Sequence, residues 1–133
     1  VACVIVLDAC VLIAHLDATD SHHARATALL TSFGDTPLAA STLTVAEVLV
    51  GPTRVGRLTI AQVAIDRLGI IPQELPAFAA QELAQLRATT RLKMPDCCAL
   101  WTALTNDSSP LATFDQQLAR VAAEKGIKVY SGE

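Results

Sequence analysis

The sequence predicts an α/β fold: a short, mostly parallel five-stranded sheet with helices on both faces. Three observations predict it. Strand-like apolar runs alternate with helical patterns, which implies right-handed βαβ crossovers. The run Val4 to Leu7 is all Val, Ile and Leu, as suits a strand buried on both faces. Helix caps, glycines and prolines punctuate the boundaries between these segments.

Strand one spans roughly Cys3 to Leu7, and an apolar helical pattern covers about Ala9 to Leu16. Asp20-Ser21 offers an N-cap for a helix running to about Phe33. Gly34-Asp35-Thr36-Pro37 is a stop followed by a turn. Leu38 to Ala40 reads as strand two. Ser41 and Thr42 can cap the next helix, which carries Val45, Val48 and Leu49 on its apolar side and ends near Gly51-Pro52. A helical segment from about Thr59 to Leu68 precedes a third strand, Gly69 to Pro72. Pro76 suits the first residue of a helix to about Thr90, and Pro95 that of a helix from Asp96 to about Leu104. Asn106 to Pro110 is a loop and Leu111 to Thr113 strand four. Asp115 opens a helix to about Lys125, Gly126 ends it, and Ile127 to Tyr130 is strand five. With no repeat, linker or low-complexity tract, residues 1–133 read as a single domain.

The apolar share is 52%, but no window reaches the roughly 18 uncharged apolar residues of a membrane span. The N-terminal run meets Asp8 too early for a signal peptide and lacks a basic leader. Cys3, Cys10, Cys97 and Cys98 show neither zinc-type spacing nor a disulfide framework, so a reducing cytoplasm is the expected location. Cys97 and Cys98 are expected to be packed thiols on a helix. The net charge of −3 creates no global field favouring nucleic acid, although local patches can steer a ligand. Arg87, Arg91 and Lys93 form one such cluster just ahead of Asp96. The same cluster would also suit a solvated helix end.

Of the 13 acids, four are placed unlike the rest. Asp8 follows strand one. Glu47 lies a turn or two into the helix after strand two. Asp96 starts a helix behind Pro95, and Asp115 lies just past strand four. Open α/β sheets bind ligands at the carboxyl edge of their strands, and three of these acids belong to that edge. Asp96 joins them if its helix starts there. Each acid also has an ordinary explanation. Asp96 and Asp115 would stabilise a helix dipole, Asp8 could cap the helix behind it, and Thr44-Val45-Ala46-Glu47 matches a capping box. Taken together they point elsewhere. Two carboxylates about 4 Å apart repel by roughly 4 kcal/mol at an effective dielectric of 20, so four that meet need a cation. All-oxygen ligands favour Mg²⁺ or Mn²⁺. Such an ion activates a water and neutralises a phosphodiester oxygen, which makes metal-assisted phosphodiester hydrolysis the natural reaction class.

At these four acids the chain resembles the PIN-domain family, and within it the VapC-type ribonuclease toxins of bacterial toxin–antitoxin modules. VIVLDACVLIAHLD resembles the opening strand and first acid, and STLTVAEVLVGP the second motif. KMPDCCALWTAL resembles the third and PLATFDQQLARVA the fourth. The resemblance covers essentially the whole chain. It implies a PIN-like three-layer α/β/α sandwich, a Mg²⁺- or Mn²⁺-dependent endoribonuclease, a homodimer and a cognate VapB-type antitoxin. By position, Asp8 and Asp96 would be the most direct metal ligands. Glu47 and Asp115 would complete the cluster and orient the attacking water, and Thr113 would support Asp115. The family commonly has a small hydroxyl or amide residue at one or both positions after the first acid. Ala9 and Cys10 stand there instead, so that polar contact is expected to be missing or supplied by water.

The leading expectation is therefore a toxin that hydrolyses RNA, with Arg87, Arg91 or Lys93 holding phosphates. A phosphoacceptor signalling domain would need an acid after the third strand, and GIIPQ has none. A phosphatase with an Asp nucleophile would want a second acid where Cys10 stands. A non-catalytic PIN-fold domain acting through its partner would carry the same signature, and metal titration separates it. The apolar stretch Val45 to Leu68 is a candidate dimer or antitoxin surface, and an antitoxin could insert an Arg among the acids. His15, His22, His23 and Trp101 are assigned structural rather than catalytic roles.

Overall fold

A computed structural model of the chain describes residues 4–132. Its strands are β1 (Ile5–Leu7), β2 (Leu38–Ser41), β3 (Ile71–Gln73), β4 (Leu111–Ala112) and β5 (Val129–Tyr130). All pair in parallel, in the order β3-β2-β1-β4-β5. The helices are α1 (Ala9–Leu16), α2 (His23–Ser32), α3 (Thr42–Arg54), α4 (Leu58–Arg67), α5 (Ala79–Thr90), α6 (Met94–Thr105) and α7 (Gln116–Glu124).

The sheet divides the interior in two because successive side chains of a strand point to opposite faces. Val6 and Leu111 face a core built with Leu83, Leu100 and Leu118 from α5, α6 and α7. Ile5, Leu7 and Ala112 face the other, with Leu12, Leu30, Val48 and Ile65 from α1 to α4. The result is the expected helix–sheet–helix sandwich. Each fully buried Val or Leu contributes about 1.5–3 kcal/mol relative to exposure, so both faces of β1 drive its central position. Among the described residues no helix is long and apolar enough to cross a membrane.

The differences from expectation lie at element ends, and each has a local cause. Cys3, the expected start of strand one, lies outside the described residues. Asp20 does not cap α2; its carboxylate accepts from the His22 N–H in a preceding turn (2.8 Å), and the helix starts at His23. Helix α3 runs past Pro52 to Arg54, where Val55 and Arg57 N–H groups both close on the Pro52 carbonyl. A proline removes one helical bond but need not end the helix within that turn. Gly69 sits at φ +66°, just past the last residue of α4, which delays β3 to Ile71. Pro76 begins a tight turn, with Ala79 N–H on its carbonyl, and α5 starts three residues late. Helix α7 ends in a Schellman motif: Gly126 at φ +82°, its N–H on Ala123 and the Ile127 N–H on Ala122. That motif uses Ile127 and shortens β5 to Val129–Tyr130.

The α3–α4 stretch buries Val48, Ala61 and Ile65 but leaves Val50, Val55, Ile60 and Val63 in solvent. Core packing therefore explains only part of its apolar character.

Candidate active site

Strand β1 pairs with β2 on one side and with β4 on the other, so the chain switches direction across it. The crevice outside the carboxyl ends of β1 and β4 is the place where doubly wound sheets bind ligands. Asp8 stands there, the residue directly after β1. It is 6% exposed and caps α1 with Oδ1, which accepts from the Ala9 N–H (2.9 Å). Oδ2 accepts from the buried Thr113 hydroxyl (2.7 Å) and from the Cys10 thiol (3.1 Å). Helix capping is thus only part of what this carboxylate does.

Asp115 stands across the crevice and caps α7, accepting from the Leu118 N–H (2.8 Å). Its own N–H donates to Thr113 Oγ1 (3.0 Å). Thr113 therefore bonds to the Asp115 backbone and the Asp8 carboxylate, rather than to the Asp115 carboxylate. Glu47 projects from the second turn of α3. The capping box expected at Thr44 to Glu47 does not form, because Ser41 is the cap and its Oγ accepts from the Thr44 N–H. Glu47 is left without that backbone role. Burial, and then the Asp8 charge, raise its pKa.

Asp96 lies in the first turn of α6, which packs against β1, β2 and β4. It lies within electrostatic reach of the others. Burial and the charges of Asp8, Asp115 and Glu47 push its pKa up to about 6, and Lys93 pulls the other way. A carboxyl raised by three like charges belongs to one electrostatic cluster with them. Four segments distant in the chain thus deliver four acids to one edge of the sheet.

The acids share a crevice without closing into a cage: among the described residues no three His, Cys, Asp or Glu side chains already enclose an ion site. Their donor set is nonetheless oxygen-only and fits a hard divalent cation, which needs few protein ligands because it keeps several waters. Among the described residues three thiols feel these charges: Cys10 that of Asp8, Cys97 that of Asp96 and Cys98 that of Glu47. Burial and then the charge raise all three, Cys10 to about 12.

The contact expected to be missing after Asp8 is present. Cys10 supplies it through sulfur, donating from its thiol to Asp8 Oδ2. Of the basic residues, only Lys93 acts on Asp96. Arg87 folds back on its own chain, donating from Nη1 to the carbonyls of Arg91 and Leu92 (3.2 and 2.6 Å). Arg91 turns the chain between α5 and α6 at φ +62°.

Other polar side chains have structural partners. His23 Nδ1–H donates to the Ala14 carbonyl (2.9 Å) and His15 Nδ1 meets Thr27 Oγ1 (3.0 Å), which joins α1 to α2. Trp101 is buried and donates from Nε1 to Glu82 (3.2 Å), with Phe78, far from it in sequence, 6.2 Å away. Cys97 and Cys98 are packed inside α6. Two hollows of about 420 and 470 Å³ lie elsewhere, one beside Trp101 and one beside Arg25, and none of the four acids lines either.

A parallel α/β/α sandwich with acids gathered at its switch point defines a doubly wound domain with an anionic crevice. The family model of the PIN domain matches residues 5–124, and the chain belongs to that family. Its fold is similar to solved structures of low sequence identity. A toxin–antitoxin complex from Klebsiella pneumoniae matches at 22% identity and TM-score 0.76, covering 97% of this chain and 98% of that one. FitAcB from Neisseria gonorrhoeae matches at 23% and 0.68, covering 96% and 97%. VapBC2 from Rickettsia felis, bound to a DNA fragment from its promoter, matches at 13% and 0.68, covering 96% and 97%. Comparison with curated protein sequences finds no match.

Proposed function

We propose that the chain is a Mg²⁺- or Mn²⁺-dependent endoribonuclease and the toxin of a type II toxin–antitoxin module. One observation carries this reading: Asp96, at the carboxyl edge of the sheet, is within electrostatic reach of Asp8, Asp115 and Glu47, whose charges add to burial in pushing its pKa up to about 6. Four mutually repelling acids at a ligand-binding edge are tolerable when a cation sits among them. PIN domains are generally nucleases that depend on divalent metals. The neighbouring fold from Klebsiella is a toxin–antitoxin complex, and that from Rickettsia is VapBC2 bound to promoter DNA.

A divalent ion bound here would supply Lewis acidity toward a phosphodiester and lower the pKa of a coordinated water. Asp8 and Asp96 are the most direct candidate ligands. Asp8 is preset for the task by three hydrogen bonds. Glu47 and Asp115 complete the cluster and orient the attacking water. Thr113 holds Asp8 and the Asp115 backbone at a fixed separation. Lys93, close enough to act on Asp96, is the first candidate to hold an RNA phosphate, with Arg87 and Arg91 as further candidates. A VapB-type antitoxin or a second copy of the chain would cover Val50, Val55, Ile60 and Val63, whose exposure together suits an interface.

The test is incubation of the purified chain with structured RNA. Cleavage is expected with Mn²⁺ or Mg²⁺ and is expected to stop when a chelator is added. Metal-independent cutting would contradict the assignment. No cutting by a chain that still binds an antitoxin would favour the non-catalytic interaction domain.

A further inference from the structure

We propose that Cys10 is a positioning residue for the Asp8 carboxylate, acting through its S–H. The inference rests on the reading of the acidic crevice as a divalent-cation site and adds to it how one ligand is aimed.

An ionised carboxylate has about four lone-pair positions, two on each oxygen. On Asp8 three are occupied. Oδ2 accepts from Cys10 Sγ (3.1 Å) and Thr113 Oγ1 (2.7 Å), and Oδ1 accepts from the Ala9 N–H (2.9 Å). Oδ2 is therefore full, and the remaining lone pair belongs to Oδ1. Cys10 and Thr113 together fix which oxygen of Asp8 is open to a cation.

The thiol is itself held in place. The Phe114 N–H points at Sγ (3.4 Å), and Thr113 Oγ1 lies 3.6 Å from it. Thr113 and Phe114 thus hold the thiol from the β4–α7 side, while the Asp115 N–H donates to the same Thr113 hydroxyl. This network ties the β1–α1 junction to the β4–α7 junction, and so ties Asp8 to Asp115. A cysteine present only to fill space would be replaceable by any small apolar residue. A cysteine present as a donor is replaceable by a small residue that also donates, such as serine, whose O–H is the stronger donor.

The experiment is calorimetric titration of Mn²⁺ into the parent chain, Cys10→Ala, Cys10→Val and Cys10→Ser, with circular dichroism melts to show that each is folded. Two donor-less variants are used so that one folding defect does not decide the result. The folded donor-less variants are expected to bind Mn²⁺ about ten- to a hundredfold more weakly, the usual effect of losing a partner of a metal ligand, with Cys10→Ser within about threefold of the parent. If a folded donor-less variant binds as tightly as the parent, or serine is as weak as alanine, the positioning role is wrong and the cation site stands. If the parent takes up no Mn²⁺ at millimolar concentration, the proposed function fails and this role fails with it.

Discussion

Asp8→Asn is expected to slow RNA cleavage by at least about a hundredfold, which corresponds to some 2.7 kcal/mol of lost transition-state stabilisation. Two effects combine. The substitution removes a charge from the cluster that would hold the cation. It also puts an NH₂ group where only acceptors fit: Ala9 N–H donates to one oxygen, and Cys10 and Thr113 donate to the other. Whichever way the amide turns, a donor faces a donor, at a cost of about 1–3 kcal/mol in a buried site. Asp96→Asn lacks that second penalty, because among the described residues no hydrogen-bond donor is committed to its carboxylate. It is expected to lose comparable activity with little loss of fold. Single-turnover cleavage, with circular dichroism as a folding control, checks both. Cleavage by either folded variant at the parent rate would remove that residue from the catalytic group.

Without metal, the protein is expected to lose stability as pH rises from about 4 through 6, against the usual acid-denaturation trend. The direction follows from Asp96. Its carboxyl is raised from an ordinary 3.8 to about 6 in the fold. Between those values the folded state holds a proton that the unfolded state has released. The stabilisation is complete below the unfolded pKa and is lost as pH passes the folded one. Asp96 is half-buried, so solvent screening reduces the effect to about 1 kcal/mol. Glu47 acts in the same direction. Mn²⁺ at about a hundred times its Kd should add roughly 2.7 kcal/mol at pH 7.5. It should add far less at pH 4.5, where protons compete for the ligands. Urea unfolding at both pH values, with and without Mn²⁺, measures this. The metal-free Asp96→Asn variant should lose less stability over the same interval. If it follows the parent curve, the repulsion does not act on the fold.

Strands β1, β2 and β4 were legible because each is a buried apolar run entered or left at a proline or an acid, whereas the edge strands β3 and β5 are only half-buried or exposed and were legible from the glycines ahead of them. Asp8 was the clearest site residue for the same reason: a charge directly after Ile5-Val6-Leu7 has no place in a core. The ends of elements were less legible, since Pro52 inside α3 and Pro76 before α5 act through bonds to neighbours not fixed by local sequence. The position of Asp96 depended on where α6 begins relative to the sheet, a long-range fact. Glu47 carried a misleading local signal, the Thr44 capping box, which Ser41 overrides by capping first. Cys10 carried no local signal, because a thiol is a weak hydrogen-bond donor. Its partner Thr113 lies 103 residues away, beyond the reach of any local pattern. Arg87 looked like part of a phosphate-binding cluster, but the turn at Arg91 brings two backbone carbonyls within its reach.

The shared claim beneath these expectations is that one cation joins carboxylates from four separate segments. A crystal grown in Mn²⁺ and measured at the manganese absorption edge tests it most directly. An anomalous peak within coordinating distance of Asp8 and Asp96, with Glu47 and Asp115 around it, is the expected result. A map with no such peak there at millimolar Mn²⁺, or with manganese bound only elsewhere on the surface, would contradict it.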